Sequence, residues 1–485
     1  MNLLNTSLAR HGCPAKRQTP FMPVALALCL CVLACATAFA DDWPTYQHDN
    51  RRSGVTTERL TYPLKQAWVH RSAVPPQTAW PGPAPWDSYA GKIGLTPMRN
   101  FDIAFFVTAV GDNVYFGSSV DDAVHCLDTD TGDEKWASFA DGPVRLPPAY
   151  HKDKLYFGSD DGYAYCINAE NGSLIWRYRA AESDRLIPRN GKLTSAWPIM
   201  TGVLVQDGKA YFGASLIPWQ PTFLCAVDAE TGADDAPGCF KTKQTGMTLQ
   251  GALLASKTTL YLPQGRLAPA TFNRRTGKFI GTIGDQRQGG VYALLTSDSS
   301  FIHGHGIFQG GVIETSEKRK DTMIAYQGGN CMVVTQNRSF LMTDDDISAL
   351  DRDNYARLSR LRRKLNARKN QLAKQYKQAR NKGDHDGLES LKNQLENIAK
   401  AIDNNAERLR QCFLWRVPTK LRHTMILAGD TLIAGGQGQV AAINLQNGKL
   451  RWSTPINGTA HGLAVANGRL FVSNERGDIY CFATK

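Results

Sequence analysis

Between Asp41 and Lys485 no two cysteines are adjacent, and no CxxC or CxxCH spacing occurs anywhere in the 485 residues. The second absence excludes a zinc ribbon and a covalently attached c-type haem. Long apolar runs are equally scarce. One, Phe21 to Leu33, follows Arg10, Lys16 and Arg17 and precedes Ala38-Phe39-Ala40. It reads as a secretory signal spanning 1–40 and removed before Asp41. The alternative at this end is a lipoprotein cysteine at Cys35, after Val32-Leu33-Ala34. Nothing later offers the roughly 20 apolar residues that cross a bilayer. The expectation is an exported chain, periplasmic or associated with an outer membrane, with no transmembrane segment in its mature form.

What is present is repetition. Gly111-Asp112-Asn113-Val114-Tyr115-Phe116-Gly117-Ser118 leads to Val124-His125-Cys126-Leu127-Asp128, a Thr131-Gly132 turn and Trp136. Some forty residues on, Lys152-Asp153-Lys154-Leu155-Tyr156-Phe157-Gly158-Ser159 leads to Ala164-Tyr165-Cys166-Ile167-Asn168, Asn171-Gly172 and Trp176. Short strands and glycine turns at this period mark an all-β fold, a β-propeller with one blade per repeat. Further copies pass through Tyr211 to Gly232 and through Tyr261 to Gly277. A degenerate fifth spans roughly 290–327, a sixth starts near Cys331 with Trp415 in its closing strand, and a seventh carries Trp452. The eighth stops after Cys481 without an outer strand, and Leu64-Lys65-Gln66-Ala67-Trp68-Val69 resembles the piece it lacks. The expectation is an eight-bladed ring closed by the N-terminal strand.

Cys126, Cys166, Cys225 and Cys481 share one register in four blades, which makes them small buried hydrophobes rather than a disulfide framework. Cys225 and Cys239 flank one hairpin and could pair across it. Asp160-Asp161 and Asp344-Asp345-Asp346 are expected in solvated blade corners. His303 and His305, two apart on one strand, lack a third ligand for a metal.

The pattern Tyr-x-x-(Asp/Asn)-x-x-(Thr/Asn)-Gly-x-x-x-Trp resembles the pyrroloquinoline-quinone-like repeat family, over most of 41–353 and 412–485. Asp42-Trp43-Pro44-Thr45-Tyr46 looks like the family's N-terminal entry. The resemblance implies one of two branches. Quinone-dependent dehydrogenases carry adjacent cysteines under the quinone, a stacked Trp and a calcium site; envelope scaffolds similar to BamB dock partner proteins without catalysis. The missing cysteine pair favours the scaffold, with no cofactor and no catalytic residues. An oxidoreductase using pyrroloquinoline quinone with calcium is the alternative.

Residues 354–411 replace a short turn in the sixth blade. Leu358, Leu361, Leu365 and Leu372, then Leu388, Leu391, Leu395, Ile398, Ile402 and Leu409, predict an antiparallel helical hairpin broken at Gly383–Gly387. It holds 15 Lys and Arg against 6 Asp and Glu, an excess of nine. Beyond residue 40 the whole chain has 53 against 44, also nine, so the hairpin carries all of the surplus. Arg360, Arg362, Arg363, Lys364, Arg368 and Lys369 form a candidate dock for an anionic partner: a membrane surface, an acidic polysaccharide or an acidic envelope protein. Export argues against nucleic acid as a natural partner. A second candidate surface gathers Trp80, Trp86, Tyr89, Arg185, Arg189, Trp197 and Trp219, aromatic and basic residues on loops expected at the opposite end of the blades, suited to a peptide or glycan.

Overall fold

The computed structural model describes residues 41–80, 100–265, 267–283, 289–304, 311–316, 319–383 and 385–484. Among them, six antiparallel four-stranded sheets follow one another, over 107–139, 149–179, 204–244, 254–282, 292–327 and 329–418. Inner strands such as Asn113–Gly117 and Ala123–Asp128 are buried almost throughout. That is why the sequence reads there as apolar runs rather than as alternation: both faces of each sheet are covered. The outer strand Glu134–Phe139 is largely exposed. The fifth sheet, degenerate in sequence, has four paired strands like the others.

After 418 the pattern changes. The 17-residue strand Leu450–Ala466 serves two sheets: its first part pairs with Thr431–Asn444 and its last part with Arg469–Asn474. The strand Asp478–Ala483 then pairs with Lys65–Arg71 from the other end of the chain, antiparallel, with Trp68 opposite Cys481. First strands lie beside one another: Val107–Val110 beside Ala149–His151, the latter beside Leu204–Gln206, and Val107–Val110 also beside Leu450–Ala466.

One device joins neighbouring sheets. Asp128 Oδ1 accepts from the Asp130 and Thr131 amides at 2.9 and 3.0 Å, and Gly132, at φ +77°, donates its amide to the Asp128 carbonyl. The same Asx turn is built on Asn168, Asp228, Asn273 and Asn444. Each turn glycine faces an aromatic ring of the preceding sheet. A Cβ on Gly172 would lie 2.6 Å from Trp136, one on Gly232 2.8 Å from Trp176, and one on Gly448 2.8 Å from Trp415. Gly132 meets Trp68 at 2.6 Å, which links the last sheet to the first. The Trp68 indole also donates to the Thr129 carbonyl at 2.9 Å, and Trp452 to the Leu64 carbonyl at 3.0 Å.

Helix α1 (Arg352–Lys382) and helix α2 (His385–Arg410) stand between the third and fourth strands of the sixth sheet. Asp351 caps α1 by accepting from the Asn354 amide, and Gly383 at φ +71° ends it. The hairpin thus begins two residues before 354. Leu358, Leu372 and Leu409 are buried, whereas Leu361 is 36% exposed and lies off the seam. The root is fastened to the fifth sheet: Tyr355 stacks on Tyr326, and buried Arg352 bridges Asp298 and Glu314 at 2.9 and 2.8 Å.

Three sequence expectations need correction or placement. Cys225 and Cys239 are unbridged; Cys225 pairs across the ladder with Lys241, and the Cys239 thiol donates to the Ala233 carbonyl at 3.5 Å. Asp160 and Asp161 are buried, not solvated. His303 is fully buried among apolar residues with neither ring nitrogen bonded, while His305 lies outside the described residues.

Candidate functional site

Each sheet has two ends. One carries the turns between first and second and between third and fourth strands; the hairpin is there. The N-terminal segment 42–56 is laid across this end. Trp43 bridges Ala109, the Pro44 carbonyl accepts from Tyr150, and the Asn50 carboxamide donates to Val205. Ala255 donates to the Asn50 carbonyl, Leu295 to that of Arg51, and Val55–Thr56 runs parallel to Leu427–Ala428. One short segment thereby ties the first strands of six sheets together. Arg52 locks it. Its buried guanidinium donates to the Leu253, Tyr46 and Asp49 carbonyls and to Thr45 Oγ1. Burial lowers its pKa to about 10, still charged at neutral pH.

Above this floor lies a cavity of about 420 Å³ whose lining reaches Asp344, in a second-to-third-strand turn at the other end of the sheets. Tyr46, Gln47, Arg52 and Ser53 form its floor, and Phe101, Phe106, Tyr292 and Met332 are among its apolar walls. Asn330, Asp344, Arg422, His423 and His461 make a polar rim. The two imidazoles meet edge to face at 5.1 Å. Burial holds His461 down at about 4 and also lowers His423, so both are neutral at pH 7.

The quinone and calcium that the dehydrogenase branch implies do not fit this lining. Among the described residues of the lining the carboxylate, Asp344, accepts from Asn330 Nδ2 at 3.0 Å, and there is one cysteine and no Trp. Among the described residues no three His, Cys, Asp or Glu side chains are grouped to hold a metal ion.

Around the mouth stands a feature that sequence reading missed. The strands Leu186–Arg189 and Lys192–Ser195 form a two-stranded ribbon closed by Asn190-Gly191 at φ +52° and +79°. An Asn-Gly pair between short strands is a strong hairpin signal, and it was present in the sequence. Ile187, Arg189 and Thr194 turn inward; Leu186, Pro188 and Leu193 face solvent, Leu193 at 62% exposure. A buried ionic cluster anchors the ribbon. Arg145 reaches Asp102 and Asp160, each at 2.6 Å, and Arg189 pairs with the same Asp160. Burial would lower the Arg145 guanidinium, but Asp160 and Asp102 carry its pKa above the usual value. Lys192 is held by Asp122 and the Ser119 and Val120 carbonyls.

The predicted aromatic and basic set is divided by the fold. Trp80 and Ile187 pack on one apolar cluster beside the cavity, and Trp80 Nε1 donates to Gln250 at 2.9 Å. Arg189 is spent on Asp160, and Trp197 is buried against Phe223. Arg185 is exposed at the ribbon's base, and Trp219, 77% exposed, tops a loop at the same end. Trp86 and Tyr89 lie outside the described residues. In the hairpin, Lys364, Arg368 and Lys369 are exposed on α1, and Arg360 and Arg362 are half-buried there. Arg363 is also exposed on α1.

Serial four-stranded sheets joined by Trp-on-glycine packing define a protein of the pyrroloquinoline-quinone-like repeat class. The sequence matches the family described as outer membrane protein assembly factor BamB over residues 86–354 and 414–485, and the chain belongs to that family. The unmatched stretch between them is the helical hairpin. No curated protein matches the sequence. Among solved structures it is similar to quinohemoprotein alcohol dehydrogenase from Comamonas testosteroni (12% identity, TM-score 0.57, 92% of this chain and 81% of that one). It is also similar to quinohemoprotein alcohol dehydrogenase ADHIIG from Pseudomonas putida HK5 (10%, 0.56, 91% and 80%). A computationally designed protein, Ika8, matches at 9% identity and TM-score 0.50, covering 80% of this chain and 98% of that one. At these identities the likeness is one of fold. Among the described residues no helix is long and apolar enough to cross a membrane.

Proposed function

We propose that this chain is an exported eight-bladed propeller, closed by the strand Lys65–Arg71, that docks a protein partner in the cell envelope, as the family description suggests for its relatives. The observation that carries this reading is the ribbon. Three apolar side chains, Leu186, Pro188 and Leu193, face water on a ribbon whose inner face is pinned by buried ion pairs. Exposing apolar groups on a rigid support costs solubility unless a partner covers them. Trp219 and Arg185 at the same end supply the residue types that dominate protein interfaces. Periplasmic or outer-membrane residence is supported by the secretory signal read at 1–40 together with the family.

The test is affinity capture from envelope extracts with the intact protein, with Leu186→Ser/Leu193→Ser, and with Trp219→Ala. Loss of a leucine or Trp anchor from an interface centre weakens binding by about 2 kcal/mol, or roughly 30-fold. A partner kept by the intact protein and lost by the variants, at unchanged melting temperature, supports the reading. Equal retention by all three removes this surface.

A further inference from the structure

The hairpin is the largest departure from the family pattern, and nothing in a docking propeller requires its charge. Helix α1 holds twelve Lys and Arg with one acidic residue, Asp353, whereas α2 holds four against five. The two arms therefore differ sharply, and α2 cannot neutralise α1. Among the described residues the ion pairs within the hairpin do not engage Lys364, Lys369, Lys374 or Lys377, all of them exposed. Like charges this dense repel one another, which opposes folding unless an anion screens them. The 31 residues of α1 span about 46 Å, so the charge is spread along a rod rather than focused at a point. The pocket at the root of α1, lined by Asp298, Glu314, Arg352 and Arg360 among others, does not include Lys364, Lys369, Lys374 or Lys377, and an extended polyanionic surface fits their spread along the rod.

Where the rod is rooted narrows the partner further. It rises from a turn between third and fourth strands, at the end where the N-terminal segment also lies. Asp42 accepts there from the Gly111 amide at 3.0 Å, in the first-to-second-strand turn of the first sheet. A bilayer bound along the hairpin would lie at this end of the sheets, with the ribbon and the cavity mouth at the other.

We propose that the exposed basic residues of α1 bind an anionic lipid bilayer and orient the propeller with its docking end directed away from the membrane. The reading of the ribbon as a docking site supplies the biological setting, but lipid binding stands or falls separately. Each basic side chain near an anionic surface strengthens binding roughly fivefold, and salt screens the effect over about 10 Å.

The test is co-sedimentation of the purified protein with vesicles of phosphatidylcholine alone and with 30% phosphatidylglycerol. It is repeated with Lys364→Gln/Lys369→Gln/Lys374→Gln/Lys377→Gln, changes that keep helix propensity. The expected result is binding to the anionic vesicles that the fourfold variant weakens more than 100-fold, with an unchanged melting temperature. If that variant unfolds, a salt titration of the intact protein decides: binding must fall more than tenfold between 50 and 300 mM. Equal binding by both proteins, salt-insensitive binding, or equal affinity for neutral vesicles overturns the proposal. So does tighter binding to duplex DNA or heparin than to the anionic vesicles, which would assign the rod to a soluble polyanion. Failure here leaves the ribbon's capture experiment untouched.

Discussion

Gly172 and Gly468 have the same backbone conformation, φ +71°, in different surroundings. A Cβ on Gly468 meets nothing within 4 Å, whereas one on Gly172 falls 2.6 Å from the Trp136 ring of the preceding sheet. Alanine at either site pays the left-handed penalty of roughly 1–2 kcal/mol. At Gly172 the ring must also move, and overpacking of this kind costs roughly 1–3 kcal/mol more. Gly468→Ala should therefore lose about 1–2 kcal/mol and Gly172→Ala about 2–5 kcal/mol. Urea denaturation followed by tryptophan fluorescence measures both, provided the slopes agree. Replacing Trp136 by Leu in the Gly172→Ala background should recover part of the second loss, because the two changes act on one contact. Equal losses at the two glycines would refute the argument that the turn glycine is there to seat the neighbouring ring.

Asp160→Asn leaves two arginines beside a buried neutral group, and should cost about 3–5 kcal/mol and loosen the ribbon, visible as faster amide exchange over 186–195. Burial holds His303 at about 4 against an ordinary 6.5. The unfolded chain takes up the proton first, so this contribution is complete above pH 6.5 and is lost as pH falls toward 4. On the order of 3 kcal/mol is at stake, and His303→Phe should flatten that part of a denaturation–pH profile. Pyrroloquinoline quinone with calcium should leave absorbance and dye-linked alcohol oxidation unchanged; a saturable quinone spectrum would restore the oxidoreductase reading.

Much of the architecture was legible because each repeat spells out a local device. Asp128, Asn168, Asp228, Asn273 and Asn444 build Asx turns, and the glycine four residues later supplies the conformation that ends them. The origin of the last outer strand was equally readable, since Leu64–Val69 carries the same Trp signature as Leu450–Ser453. Other features depend on contacts that sequence order hides. Asp160 resembles a solvated corner residue until Arg145 and Arg189, fifteen residues before and twenty-nine after, close over it. Segment 42–56 gave no sign that it would thread six sheets, because its bonds run largely through backbone carbonyls. The ribbon at 186–195 was written plainly in Asn190-Gly191 and was overlooked among its aromatic neighbours. Trp80, Arg189 and Trp197 were chosen for residue type, and type alone does not say whether a ring or a guanidinium meets solvent or a buried partner.

The account depends on the two ends of the chain sharing one sheet, and an engineered bond between them tests that most directly. Lys65 pairs with Ala483 across the ladder, 418 positions away in sequence. A disulfide requires Cα atoms within about 7 Å, which ladder partners satisfy. Lys65→Cys/Ala483→Cys, oxidised while dilute and digested, should yield one intramolecular peptide pair joining these positions, together with a raised melting temperature. Free thiols at both sites, or links formed only between molecules, would contradict the shared sheet and with it the closed ring.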